Sequence, residues 1–231
     1  MKIRRTHLIC VAGIDGSGKT TLALGLVNRL RDMGYDVQYV HGDAHGIQFL
    51  PILKPIKTLA KIFFMRGTNQ QSNYFHYRRV QVSISSRHRL LSGFYGGLCF
   101  LDYCAQAFVR VALPAMRGKT VVADRYIYDV LLNLALATAR PLEAILHLSN
   151  IFFKLNIIPN AVFLVDTPEE IAFRRKSDIY SLDYLRERRS AYLEMARRFD
   201  FAVLDGQSDP DGLVSEAIAR CFRTAIQPES S

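Results

Sequence analysis

The sequence predicts an α/β fold, a three-layer sandwich in which a five-stranded parallel sheet lies between two layers of helices. Two observations carry this expectation. Five short apolar runs are bounded by turn residues, and the stretches around them space their apolar residues as helices do. Such near-continuous apolar runs belong to strands buried on both faces, as in parallel sheets with helical crossovers.

The elements follow in order. His7–Ala12 is the first strand, and Thr21–Leu30 has the apolar spacing of the first helix. Met33-Gly34 ends that helix, with Gly34 as a C-cap, and Asp36–Val40 is the second strand. Arg117-Gly118 leads in the same way into Lys119–Asp124. Pro159-Asn160 breaks the chain before Ala161–Asp166, and Phe201–Asp205 runs into the turn Gly206-Gln207. Three of these strands end in Asp (Asp124, Asp166 and Asp205), at the sheet edge where α/β folds gather ligands. For Asp166, before Thr167-Pro168-Glu169-Glu170, helix capping is the favoured role.

Between the first strand and the first helix lies Gly13-Ile14-Asp15-Gly16-Ser17-Gly18-Lys19-Thr20, followed by Thr21. The spacing G-x-x-x-x-G-K-[ST] in that context is the phosphate loop, so the fold expected is a P-loop three-layer sandwich. Glycines let backbone N–H groups close on phosphate oxygens, and the helix N-terminus adds partial positive charge. Lys19 would reach the β- and γ-phosphates of a nucleoside triphosphate, and the Thr20 hydroxyl would ligate Mg²⁺. Asp124-Arg125-Tyr126 adds an acid and a guanidinium beside the strand end expected to neighbour this loop. Asp124 would serve the metal and Arg125 the charge on a moving phosphoryl group; a salt bridge of Arg125 with Asp124 or Asp129 is the alternative.

A chain of 231 residues fits one α/β domain carrying an insertion. Its 49% hydrophobic content excludes disorder except in the tail 227–231. Cys10, Cys99, Cys104 and Cys221 lack metal-ligand spacing and read as core thiols of a reducing compartment. Met-Lys-Ile-Arg-Arg runs straight into the first strand, so no secretory leader is expected.

The loop at 13–21 resembles the phosphate loop of thymidylate kinases, including the acid Asp15 at its third position. Asp124-Arg125-Tyr126 resembles that family's D-R-Y/F motif, and Phe163–Glu170 its fourth strand and following turn. Arg174-Arg175-Lys176 falls where its arginine-bearing lid begins, and Tyr192-Leu193-Glu194 and Val203–Gln207 resemble its last segments. The likeness covers roughly residues 6–40 and 98–222. It implies a nucleoside-monophosphate-kinase-like domain over 1–226, with a helical acceptor region inserted at about 44–101 and a lid at about 172–186. It further implies ATP as donor with Mg²⁺, a small phosphorylated acceptor, Arg174 and Arg175 closing on the phosphates, Asp15 positioning the acceptor sugar, and a cytoplasmic enzyme, with a homodimer left open.

The acceptor half differs from the family pattern. His41-Gly42-Asp43-Ala44-His45-Gly46 stands where the family has an Arg-Glu-Pro turn, and Asp102-Tyr103 where it has an Asp-Arg pair. Residues 44–101 hold eight Lys or Arg and no Asp or Glu, so a quarter of the chain carries nearly all of its net charge of +9. Aromatics are interleaved there. An acceptor pocket, a helix lying on anionic lipid and a solvated basic face all fit this composition. The basic residues match no nucleic-acid recognition motif, so no nucleic acid is expected. Two other functions stay open at this point. One is a kinase of an unphosphorylated nucleoside or metabolite, with Asp43 as general base. The other is a nucleotide-gated regulatory NTPase that signals through the basic insertion.

Overall fold

The computed structural model describes residues 8–42, 89–138, 142–176, 179 and 181–226. Asp43, His45, the basic residues from Lys54 to Arg87, and the tail 227–231 lie outside them.

The chain forms β1 (Leu8–Ala12), α1 (Lys19–Asp32), β2 (Val37–His41), α2 (Arg89–Ala107), a π-helical segment (Phe108–Ala112) and α3 (Leu113–Met116). There follow β3 (Thr120–Asp124), α4 (Ile127–Thr138), α5 (Leu142–Leu155), β4 (Ala161–Asp166), α6 (Glu169–Arg175), α7 (Leu182–Arg198), β5 (Ala202–Asp205) and α8 (Pro210–Ile226). All five expected strands form, and they pair in parallel in the order β2-β3-β1-β4-β5. Gly34 and Gly118 take positive φ (85° and 87°) just past the ends of α1 and α3, as a left-handed helix cap requires.

Alternation along the strands builds a core on each face. Leu8, Cys10 and Ala12 of β1 join Val121 and Ala123 of β3 on one side, under α4, α5 and α7. Ile9 and Val11, with Val122, Phe163 and Val165, face the other way onto Leu22, Leu26 and Leu30 of α1 and Leu213 and Ala217 of α8. These two cores are the physical content of the three layers. Cys10 and Cys104 are buried free thiols and Cys221 is partly buried, consistent with core packing. Among the described residues one helical stretch, Gly96–Met116, is long and apolar enough to cross a membrane, and 53% of it is buried against the rest of the protein.

The strand order decides where a ligand fits. From β1 the chain crosses to β2 on one side; from β3 it crosses to β4 on the other. The crevice at the carboxyl ends of β1 and β3 is therefore the topological switch point. Val11 pairs with Asp124 across it, which sets the start of the glycine loop beside the Asp124-Arg125 dipeptide.

Candidate active site

Residues 13–18 lead into the N-terminus of α1, and their glycines take backbone conformations that side chains disfavour. Gly16 and Gly18 have φ of 81° and 96°. At Gly16 space forbids a side chain as well, because a Cβ there would stand 2.2 Å from the Ala172 carbonyl oxygen of α6. The far side of the loop is fixed by Thr167, whose hydroxyl donates to the Ser17 carbonyl at 3.1 Å. Gly206 packs against the same Thr167, leaving 2.0 Å between the hydroxyl and any Cβ at that position. Thus β4, α6 and the turn after β5 all hold the loop in shape before any ligand arrives.

Lys19 is only 6% exposed. Its ammonium donates to the Ile14 carbonyl at 3.1 Å and lies 3.5 Å from Asp15. Burial lowers its pKa, Arg125 lowers it further, and Asp15 opposes both.

Asp124 is fully buried. Its Oδ2 accepts from the Thr20 hydroxyl at 2.6 Å and the Tyr39 hydroxyl at 3.0 Å, and His41 Nδ1 lies 3.3 Å away. Its Oδ1 has no hydrogen-bond partner among the described residues. A buried carboxylate oxygen without a partner is costly unless a cation or water completes it. Thr20 and Asp124, one hydrogen bond apart with a spare anionic oxygen, therefore fit a hard divalent cation with oxygen ligands.

Arg125 is a non-glycine residue at φ 75°, a conformation that turns its side chain back toward the glycine loop. Its guanidinium donates to Asp15 Oδ1 and to Asp129 Oδ1, each at 2.5 Å. Of the two ion pairs foreseen for it, the one with Asp129 forms, and Asp15 rather than Asp124 is the second partner. Burial works against the charge on Arg125, but the carboxylates, Asp129 foremost, outweigh it and raise its pKa. Tyr192 of α7 donates to the same Asp129 oxygen at 2.5 Å, and Tyr184 donates to Asp15 Oδ2 at 3.3 Å. Arg188 lies with its guanidinium carbon 4.6 Å from the Tyr184 ring centroid and hydrogen-bonds Asn133. Burial pushes the Asp15 carboxyl up, yet Arg125, Lys19, Arg188 and Lys176 together bring it down to about 2.

The structure thus brings Gly13, Asp15, Gly16, Ser17, Gly18, Lys19, Thr20, Asp124 and Arg125 together at the switch point. The basic residues of α6 are spread more widely. Arg174 donates to the Glu170 carbonyl of its own helix, and Arg175 reaches the Gly206 carbonyl at 3.0 Å. Asp166 does not cap α6, whose N-cap is Pro168. It instead accepts two hydrogen bonds from Arg189, at 2.7 and 3.0 Å, while Arg189 also reaches Glu169 at 2.9 Å. A bidentate guanidinium on α7 outcompetes capping there.

Tyr39, Tyr184 and Arg188 were not singled out from the sequence as parts of this site, and Asp129 was named only as an ion-pair partner of Arg125. Asp129 had a usable signal, four residues after Arg125 at the start of a helix. The others come from separate elements and no local spacing points to them.

A phosphate loop opening α1, a buried carboxylate beside its threonine and an arginine at the switch point define an α/β phosphotransferase. No family model matches this chain. It is 31% identical over 228 residues to a probable thymidylate kinase of Archaeoglobus fulgidus, covering 95% of this chain and 96% of that protein. It is 31% identical over 227 residues to the thymidylate kinase of Thermosipho melanesiensis (94% and 98% covered) and 33% over 218 residues to a probable thymidylate kinase of Metallosphaera sedula (90% and 89%). The chain belongs to the thymidylate kinase family, and is an enzyme that phosphorylates nucleotides. Alignments of this extent run through the basic stretch as well, so the likeness is wider than the motifs alone indicate.

Proposed function

We propose that this enzyme transfers the γ-phosphoryl group of ATP to a nucleoside monophosphate of the dTMP kind, with Mg²⁺. The observation that carries the reading is the convergence of Lys19, Thr20, Asp124 and Arg125 on one point, with Asp124 Oδ1 unpartnered. The names of the relatives support the acceptor class.

In this reading the backbone N–H groups of Gly13–Lys19 hold the β- and γ-phosphates. The Lys19 ammonium exchanges the Ile14 carbonyl for phosphate oxygens and neutralises charge as the terminal P–O bond lengthens. Thr20 and Asp124 would hold Mg²⁺, which when bound would supply positive charge against the developing charge on the phosphates. Arg125, released from Asp15 by an arriving acceptor, binds its phosphate and aligns one oxygen with the γ-phosphorus. That oxygen forms the new O–P bond, the bond to the β-phosphate breaks, and ADP leaves. A phosphate acceptor is already anionic, so no general base is required. Arg174, Arg175 and Lys176 approach the transferring group from α6, and Asp15, freed of Arg125, is left to accept from the acceptor's sugar hydroxyl.

Labelled ATP offered with nucleoside monophosphates, nucleosides and sugar phosphates tests this directly. Transfer to dTMP above the others is expected; a nucleoside or sugar phosphate as the best acceptor would overturn the reading.

A further inference from the structure

We infer that Arg189, on α7, is a positioning residue for the glycine loop and acts through the turn between β4 and α6. This rests on the proposed binding of the donor's phosphates by that loop. Arg189 Nε and Nη2 donate to the two carboxylate oxygens of Asp166 at 2.7 and 3.0 Å, and Nη1 donates to Glu169 at 2.9 Å. Asp166 ends β4 and Glu169 opens α6, so one guanidinium spans the turn from strand to helix. A planar fork held through three nitrogens fixes orientation as well as distance.

The glycine loop is moulded against that same turn. A Cβ at Gly13 would lie 2.8 Å from the Val165 carbonyl oxygen, and one at Gly16 would lie 2.2 Å from that of Ala172. Between these two points the buried Thr167 hydroxyl donates to the Ser17 carbonyl at 3.1 Å. Val165 and Thr167 flank Asp166 in the chain, and Ala172 follows Glu169 within α6, its N–H donating to the Pro168 carbonyl at 3.0 Å. The Asp166 carbonyl also accepts from the Gly206 N–H at 2.7 Å, so the turn after β5 hangs on the same residue. Backbone N–H groups stabilise phosphate charge only where they are already aimed, and this wall sets their aim.

The other contacts of α7 separate this role from simple support of the helix. Arg186 also reaches Glu169, at 3.1 Å, but its side chain is 55% exposed and divided among Glu169, Glu170 and Asp183. Tyr184 and Tyr192 donate to Asp15 and Asp129, and Arg188 to Asn133, all on the side assigned to the acceptor. A displaced α7 would therefore harm both sides, whereas a loosened turn would harm the donor side alone.

The test uses the full-length enzyme, with ADP and dTMP as calorimetric probes. Arg189→Met keeps the apolar stem and should weaken ADP binding and lower kcat by roughly 10-fold each, short of the 100-fold that a 1 Å misplacement can cost. Affinity for dTMP should stay within about twofold of wild type. Arg189→Lys should recover part of the loss, since it restores charge without the fork. Thr167→Val removes the hydroxyl that joins the turn to the loop. Added to Arg189→Met it should cost less than it does alone, because both changes act along one path. If Arg189→Met fails to fold, Arg189→Lys carries the same comparisons. ADP affinity within about twofold of wild type, an equal loss for ADP and dTMP, or full additivity with Thr167→Val overturns the role of Arg189 and leaves the proposed function intact. A wild-type enzyme that binds no adenine nucleotide overturns the proposed function, and this inference with it.

Discussion

The two sides of the crevice, donor and acceptor in the proposed reaction, are built differently. On the donor side the glycine loop is clamped by Ala172, Thr167 and Gly206, which come from three separate elements, and Lys19 and Asp124 are buried. On the acceptor side the strand end at His41-Gly42 meets the long helix across a cleft lined by Tyr103, Gln106, Arg110 and Arg125. The comparison teaches that the glycine loop is held in shape by several elements, as the proposed phosphate handling requires, whereas the other side is bounded by a strand end and one helix. Preorganisation is what makes charge stabilisation effective, because nothing has to reorient as charge develops. A recognition surface made of few contacts is easier to retune. The departures from the family pattern fall on that side.

The largest expected effect lies on the preorganised side. Lys19→Ala should lower kcat by roughly 10³-fold or more for every acceptor, since the lost interaction is with the donor's phosphate. Single-turnover transfer with several acceptors checks this; a loss confined to one acceptor would break the division into two sides.

Next in size is the ion-paired core that joins the sides. Asp129→Asn leaves Arg125 buried with one carboxylate fewer and removes the acceptor for Tyr192. Breaking a buried pair of this kind costs about 3–5 kcal/mol, so the urea midpoint should fall clearly. kcat should fall with it by about tenfold or more as Arg125 loses its orientation. Unchanged stability would mean that Asp129 merely accompanies Arg125.

The acceptor side supplies a smaller effect. Asp43→Asn should change kcat by less than about tenfold if a phosphate is the nucleophile, whereas a positioned general base is worth roughly 10²–10⁴. A loss in that larger range would mark a hydroxyl acceptor and redraw the chemistry of this side.

The smallest effect is on acid stability. The Asp15 carboxyl is held at about 2 in the folded protein against 3.8 ordinarily. A depressed carboxylate pKa stabilises the fold above the ordinary value, and the contribution is lost as pH falls toward about 2. Urea unfolding of the ligand-free protein should therefore weaken between about pH 4 and pH 2, and Asp15→Asn should flatten that slope. Equal slopes would show that Asp15 is not electrostatically coupled to Arg125 and Lys19.

Much of this molecule was legible in the chain itself. The five strands, the turns at Gly34 and Gly118 and the phosphate loop follow from local pattern, because burial on both faces demands apolar runs and left-handed backbone demands glycine. That Lys19, Thr20, Asp124 and Arg125 gather beside the loop was legible because each belongs to a short motif or to the end of a strand. Most of their partners were not; Asp129, four residues past Arg125, is the exception. Asp124 meets Tyr39 across 85 positions of sequence, Arg125 meets Asp15 across 110, and Tyr184 meets Asp15 across 169. Asp166 had local grounds to cap a helix and was taken by Arg189 instead, a choice only α7 packing beside β4 could make. Sequence by itself determined the elements and the phosphate-handling motif, since both depend on neighbours within a few residues. The strand order β2-β3-β1-β4-β5 and the ion-paired chain through Arg125 were decided by tertiary packing. Those contacts join segments far apart in the chain, and no local propensity encodes which distant groups meet.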